Sequence, residues 1–245
     1  MRSNYPVINI YKKKSKNSEI SSQLIYGDNF KILKKFPNWI KIKNVSDNYK
    51  GYVKKKNFSN SQKNTHKVCN LFAKLYSKPS KNFIIKKKLS FGSRIKICKK
   101  KNEFCRFDNL WIKKKDLKET KYKTKDPFAN IKNFVNVKYK WGNKNYKGID
   151  CSALIQVFLN FNNKYCPRDT KDQIKYFKKK IKIKNIKKND LIFWKGHVAV
   201  VISKKNLIHA YGPLKKVIIM PIDKTVNRIY KTANLKITGI RRPYA

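Results

Sequence analysis

Apolar positions recur with two different periods along the 245-residue chain. Up to about residue 122 they alternate in short runs, such as Phe30-Lys-Ile-Leu33, Trp39-Ile-Lys-Ile42 and Gly51-Tyr-Val53, broken by Gly, Asn and Pro. Successive side chains on a strand point to opposite faces, so this alternation predicts short, half-buried β-strands. Beyond Asp126-Pro127, a cap followed by Pro at a first helical position, Phe128, Ile131, Phe134 and Val135 form a helical stripe. Leu154, Val157, Phe158 and Phe161 form a second, at i, i+3, i+4 and i+7. A third helix is expected after Asp169, with Ile174, Tyr176 and Phe177 inside it. The period then returns to that of strands at 190–194, 197–202, 207–211, 217–220 and 237–240. Helices followed by an antiparallel meander predict an α+β domain.

The β-rich part repeats itself. Leu24–Ile32 matches Leu89–Ile97, and Gly51–Phe58 matches Leu110–Leu117. A repeat of about sixty residues built from short strands suggests two small barrels. The polar stretch 59–67, which contains His66, reads as a linker with a solvated histidine, and 118–127 reads as a second linker. The resulting division is 1–60, 61–122 and 123–245. The aromatic-Gly turn, the strand carrying Trp39 and the closing Gly-Tyr-Val segment with its short helical tail resemble bacterial SH3-like domains.

Composition adds an extreme charge: 62 Lys and Arg against 13 Asp and Glu, a net charge of +49. Such a surplus raises nucleic acid or an anionic surface as partner. Only seven of the 62 basic residues are Arg, the side chain suited to two-pronged phosphate and base contacts. The lysines are also spread evenly, so no specific nucleic-acid partner is expected. Five cysteines at 69, 98, 105, 151 and 166, with no C-x-x-C, argue against a disulfide framework or zinc site. The N-terminal stretch has no apolar signal core, and no run is long enough to span a membrane. Together these predict a cytoplasmic protein, a monomer needing no metal or organic cofactor.

The candidate chemistry lies in Tyr139–Gln156. Asp150 is a good N-cap residue and puts Cys151 in the first helical turn. There the helix dipole and unpaired N–H groups favour the thiolate. His197 and His209 follow in predicted strands. A cysteine opening a helix with histidines on later strands is the papain-type layout. His197 would take the thiol proton, and His209, on the next strand, would orient it. Cys166 reads as an incidental loop thiol.

Tyr139-x-Trp141-Gly142, Asp150-Cys151-Ser152, Pro167-Arg168-Asp169, Gln173, Asp190-Leu-Ile-Phe, His197-Val-Ala-Val and His209-Ala, in that order, resemble the NlpC family of papain-like peptidases, which cut peptide stems of bacterial cell walls. The resemblance covers roughly 127–243. It implies Cys151 as nucleophile, His197 as base, His209 as third residue and the Tyr139 hydroxyl as an oxyanion donor beside the Cys151 N–H. It also implies that Asp150, Ser152, Trp141, Asp169 and Thr170 contact a peptidoglycan-derived peptide. A pair of SH3-like barrels ahead of such a domain resembles the group that cleaves γ-D-glutamyl–diamino acid bonds in short muropeptides. In that group an acid and a Tyr of the first barrel bind the free amine of L-Ala, which points to Asp28 and Tyr52. Departures from the pattern are Asn143 after Trp141-Gly142, Ala153 after Cys151-Ser152, and Gly196 before His197. Two alternatives stay open: a non-catalytic wall or polyanion binder, and an acyltransferase or amidase using the same Cys-His-His set.

Overall fold

The computed structural model describes residues 1–244. Strands β1 (Val7–Tyr11), β2 (Ile20–Ile25), β3 (Phe30–Lys35), β4 (Trp39–Asn44) and β5 (Lys50–Lys54) form an antiparallel sheet in the order β2-β1-β5-β4-β3. Ile10, Leu24, Phe30, Ile42 and Val53 fill its interior. The strict alternation read in Trp39–Ile42 is kept along β4, whose positions alternate between half-buried and buried. Strands β1 and β2 fall outside the runs picked out by sequence, although Val7–Tyr11 carries the same alternation.

The next strands are β6 (His66–Val68), β7 (Phe72–Tyr76), β8 (Ile84–Ser90), β9 (Arg94–Ile95), β10 (Lys99–Lys101), β11 (Phe104–Phe107), β12 (Leu110–Lys113) and β13 (Leu117–Glu119). Five of them form a sheet in the order β10-β11-β12-β7-β8, with β13-β6-β9 as a small sheet beside it. Read from its other edge, the larger sheet has the strand connectivity of the first, so the repeat seen in sequence is also a repeat of topology. The paired turns agree: Gly27 and Gly92 sit at φ +83° and +80°, a region open to glycine at little cost. A Cβ on Gly27 would stand 1.9 Å from the Arg94 carbonyl oxygen, so glycine is also what lets the two β units touch. His66 is not a linker residue. It starts β6, half-buried, opposite Glu119 and Ile95.

The remaining elements are β14 (Lys144–Asn145), β15 (Gly148–Ile149), α1 (Cys151–Phe161), α2 (Thr170–Tyr176), β16 (Leu191–Trp194), β17 (His197–Val201), β18 (Asn206–Tyr211), β19 (Lys216–Pro221), α3 (Ile222–Ala233) and β20 (Gly239–Arg241). Their five-stranded sheet runs β19-β18-β17-β16-β20 with every neighbour antiparallel. The meander and closing strand match expectation; α3 was not anticipated. It packs Val226 and Ile229 on one face of the sheet. Helix α1 covers the other face, and it is buried nearly all round rather than along one stripe. Such a helix belongs in the middle of a protein. Phe91, from the second β unit, stacks on Phe161 at 4.6 Å and packs against Phe158 at 4.8 Å. Asp47, from the first, accepts from Gln156 Nε2 at 3.0 Å. The apolar stripe at 128–135 is buried as predicted, but only Ile131–Phe134 is helical, wound as a single 3-10 turn. The Asp126 carboxylate there closes a turn by accepting the Phe128 N–H at 2.8 Å. Among the described residues no helix is long and apolar enough to cross a membrane.

Candidate active site

Asp150 sets the site up. Its Oδ1 accepts the Ala153 N–H at 2.8 Å, the N-cap bond expected from sequence, and its Oδ2 accepts the Gly142 N–H at 2.9 Å. Arg168 then grips both carboxylate oxygens and donates to the Ser152 hydroxyl at 2.9 Å, while its Nε reaches Ser22 on β2 at 3.1 Å. Asp150, Ser152 and Arg168 are all buried. Asp150 and Ser152, expected at the substrate, hold one another and Arg168 here. Their polar atoms are spent on the cap, the Gly142 loop and Arg168.

Cys151 opens α1 as predicted, buried, with Sγ 3.9 Å from the Gly196 carbonyl oxygen. The peptide preceding His197 thus lies beside the thiol. Burial pushes the thiol up to about 12, helped by the Asp150 charge; the Ser152 and Val198 N–H groups and Arg168 pull the other way and lose. Burial thus works against the helix terminus, which favours the thiolate. His197 Nε2 and His209 Nδ1 are 2.9 Å apart. Burial lowers His197 to about 4, and burial with the neighbouring His197 lowers His209 to about 3. Burial thus favours the neutral form of all three groups. His197 Nδ1 is the nitrogen free to take a proton, which assigns the Nε2 proton of His197 to the bond with His209 Nδ1. His209 then carries its own proton on Nε2, which is buried with no partner. Aromatic rings surround the pair: Tyr211 stacks on His209 at 4.6 Å and 12°, and Trp194 and Tyr211 lie 5.7 and 5.9 Å from His197.

Tyr139 packs against Gly212, and its phenol is pushed above its ordinary range by burial, then by Cys151 and Asp150. That places the hydroxyl in the electrostatic neighbourhood of the thiol. Trp141 is 58% exposed, a wall rather than a core residue, and its indole N–H donates to Glu19 Oε1 at 2.6 Å. Asp169 precedes α2, but its side chain makes no cap bond; burial raises it above its ordinary range. Thr170 opens α2, half-buried.

The two barrel residues expected at the substrate's amine are elsewhere. Asp28 is bonded to Lys144 Nζ at 3.0 Å and to the Ile25 N–H at 3.0 Å. Tyr52 packs on Phe36, with Lys41 over its ring. The residues of the first β unit that do reach the site are Glu19, just before β2, through Trp141, and Tyr49, just before β5, whose phenol feels Asp169, Arg168 and Glu19. Sequence reasoning missed Arg168, Glu19 and Tyr49. A signal existed for Arg168, one of seven arginines in a chain that otherwise uses lysine. Asn143 raises no turn problem, because the positive φ of +74° falls on Gly142 alone.

Residues 136–236 match the NlpC/P60 family, and residues 10–58 match the bacterial dipeptidyl-peptidase SH3 domain. Dipeptidyl-peptidase 6 of Lysinibacillus sphaericus is 34% identical over 77 residues, 31% of this chain and 28% of the relative. A probable endopeptidase NlpC homolog of Haemophilus influenzae is 35% identical over 80 residues, 31% of this chain and 43% of the relative. The matched segments thus span less than half of either relative. An NlpC/P60 family protein from Bacillus cereus has the same fold over 100% of this chain and 99% of its own, at a TM-score of 0.84 and 17% identity.

Proposed function

We propose that this chain, an NlpC/P60 domain carried behind a bacterial SH3 domain, is a cysteine peptidase that hydrolyses amide bonds in peptidoglycan stem peptides. The observation that carries the reading is that Cys151, at the start of α1, lies against the Gly196 carbonyl, one residue before His197, which is itself bonded to His209 on the next strand. The Cys151 sulfur attacks the scissile carbonyl as His197 Nδ1 takes its proton, so that no resting thiolate is required. The Tyr139 hydroxyl and the Cys151 N–H receive the oxyanion. The tetrahedral intermediate collapses as the His197 imidazolium protonates the leaving amine. Water then cleaves the thioester, its proton passing to His197, and releases the new carboxylate with the thiol restored.

The substrate class within that reading is the γ-D-glutamyl–diamino acid bond of short muropeptides with a free N-terminal L-Ala, as in wall recycling. An ammonium requires acceptors of opposite charge. Glu19 and Asp169, flanked by Tyr49 and Trp141, supply them at the border between the first β unit and the catalytic elements. The division is 1–60, 61–122 and 123–245, with the second unit also SH3-like, on the strength of its repeated strand order, and the last papain-like, α1 packing on its sheet. Five free thiols fit a reducing, cytoplasmic setting. The test is incubation with L-Ala-γ-D-Glu-meso-diaminopimelate, watching for free diaminopimelate. Release by the wild type and none by Cys151→Ala is expected; equal behaviour of the two proteins removes Cys151 as nucleophile.

A further inference from the structure

A cavity of about 610 Å³ opens where the two β units meet the C-terminal end of α1, at the opposite end of that helix from Cys151. Its volume is that of a pocket for a metabolite-sized ligand. Ile25, Val45 and Val157 give it an apolar floor, and Asn64, Asn160 and Asn163 bring amide groups. The Asn64 Oδ1 is buried without a partner.

The charge around this cavity is unbalanced. Arg2, Arg168 and Arg242 each grip a carboxylate, those of Asp108, Asp150 and Asp190, whereas Arg241, like Arg94, donates to carbonyl oxygens. Arg94 lines the cavity and holds only neutral oxygens: its Nη2 donates to the Asn160 carbonyl at 2.9 Å and to Asn163 Oδ1 at 3.3 Å. Behind the wall lies Lys67, fully buried, its ammonium held by the carbonyls of Thr120, Tyr122 and Phe161. Burial, then the like charges of Arg94 and Lys123, lower Lys67 to about 8. The one acid on the lining, Asp28, already pairs with Lys144. Asp28 also acts on Arg94, so one carboxylate is shared by Arg94 and Lys144, and the only other negative pole beside Arg94 and Lys67 is the C-terminal end of α1, equivalent to about half a charge. Buried charges are otherwise paired or bound to a ligand. Lys63 and Lys164, also on the lining, add to the same sign.

We infer that this junction cavity binds a small oxyanion-bearing metabolite, a phosphate ester or a dicarboxylate, through the guanidinium of Arg94. A guanidinium fork matches both anions in geometry. Such a ligand supplies the missing negative charge and ties the three units together from the side away from the catalytic cysteine.

Isothermal titration of the full chain with AMP and, separately, with glutarate tests this at constant ionic strength of about 0.15 M, where diffuse attraction to a lysine-rich surface is screened. Saturable one-site binding of at least one probe is expected. Arg94→Gln should weaken it about ten- to a hundredfold, the worth of a charged hydrogen-bonding group. Arg94→Lys should weaken it less, and Lys50→Gln, exposed at the start of β5, should leave it unchanged. Tighter AMP binding makes the ligand a phosphate ester, tighter glutarate binding a carboxylate. Arg94→Lys keeps the charge and checks that the loss in Arg94→Gln is not a loss of fold. Binding that Arg94→Gln leaves unchanged, or no saturable binding of either probe, overturns the inference.

Discussion

Replacing Arg168 with Met separates the scaffold of the site from its chemistry. The Arg168 guanidinium makes four bonds, to both oxygens of Asp150, to the Ser152 hydroxyl and to Ser22 on β2. Asp150 has a side chain 3% exposed. Removing one partner of such a buried pair costs about 3–5 kcal/mol, because the other charge is left in a poor solvent. Asp150 keeps the Ala153 and Gly142 N–H groups, which moderates the loss, while the bond to Ser22 adds about 1 kcal/mol back. A loss of 3–5 kcal/mol is a large part of the roughly 5–15 kcal/mol that holds a domain folded. Urea denaturation should therefore show a much lower midpoint. The double variant Asp150→Asn/Arg168→Met should lose less than the sum of its singles, since it leaves no unpaired charge and Asn still caps. Iodoacetamide labelling of Cys151 should also slow in Arg168→Met, because Arg168 is one of the groups holding the thiol down against Asp150. A loss under about 1 kcal/mol, or strictly additive singles, refutes the claim that this pair organises the loop and helix start.

Three further outcomes are expected. Gly142→Ala puts a methyl 1.9 Å from the Ile20 carbonyl oxygen at φ +74°, so it should destabilise by about 1–3 kcal/mol or more and loosen the seam with β2, read as a lower melting temperature and a raised KM. Lys67 titrates near 8 in the folded chain against 10.5 when exposed; the unfolded chain binds more protons between those values, so this group makes stability rise as pH climbs from 8 to 10.5. Lys67→Met should remove that part of the slope, at most about 1.4 kcal/mol per pH unit, in paired denaturation series; identical slopes mean Lys67 is not perturbed. Tyr211→Leu strips the ring stacked on His209 and near His197, and should lower kcat with little change in KM and move the acidic limb of the pH profile, while Tyr211→Phe keeps both; equal effects of Leu and Phe would point to the hydroxyl instead.

What sequence could deliver depended on how local each feature is. The strands of the catalytic sheet were legible because their alternation and their burial come from the same side-chain period, and His197 and His209 fell on neighbouring strands by spacing alone. Helix α3 was overlooked although Ile222, Val226, Ile229 and Tyr230 stand at i, i+4, i+7 and i+8; it follows the run read as strand at 217–220 with only Pro221 between, so no loop marks its start. The 128–135 stripe showed which side chains are buried but not how the backbone winds, since a 3-10 turn and an α-turn bury nearly the same spacing over four residues.

The charged residues divide differently, and the division bears on specificity. Asp150 was legible as a cap, but its pairing with Arg168 was not, because Arg168 lies on a different loop and no spacing rule reports it. Asp28 and Tyr52 fitted the chemistry of an amine site, yet the docking of hairpin β14–β15 on β2 draws Asp28 to Lys144 and leaves Glu19 facing Trp141. The acid that borders the cleft is thus chosen by how the first β unit sits against Gly142, not by which turn it occupies. Glu19→Gln keeps the shape of that contact and removes its charge. If the acid recognises a free amine, this change should raise KM for L-Ala-γ-D-Glu-meso-diaminopimelate about ten- to a hundredfold, the worth of a hydrogen bond to a charged group, while N-acetylated tripeptide is turned over with the same KM by both proteins. An equal KM change for the two substrates would mean that Glu19 only braces Trp141.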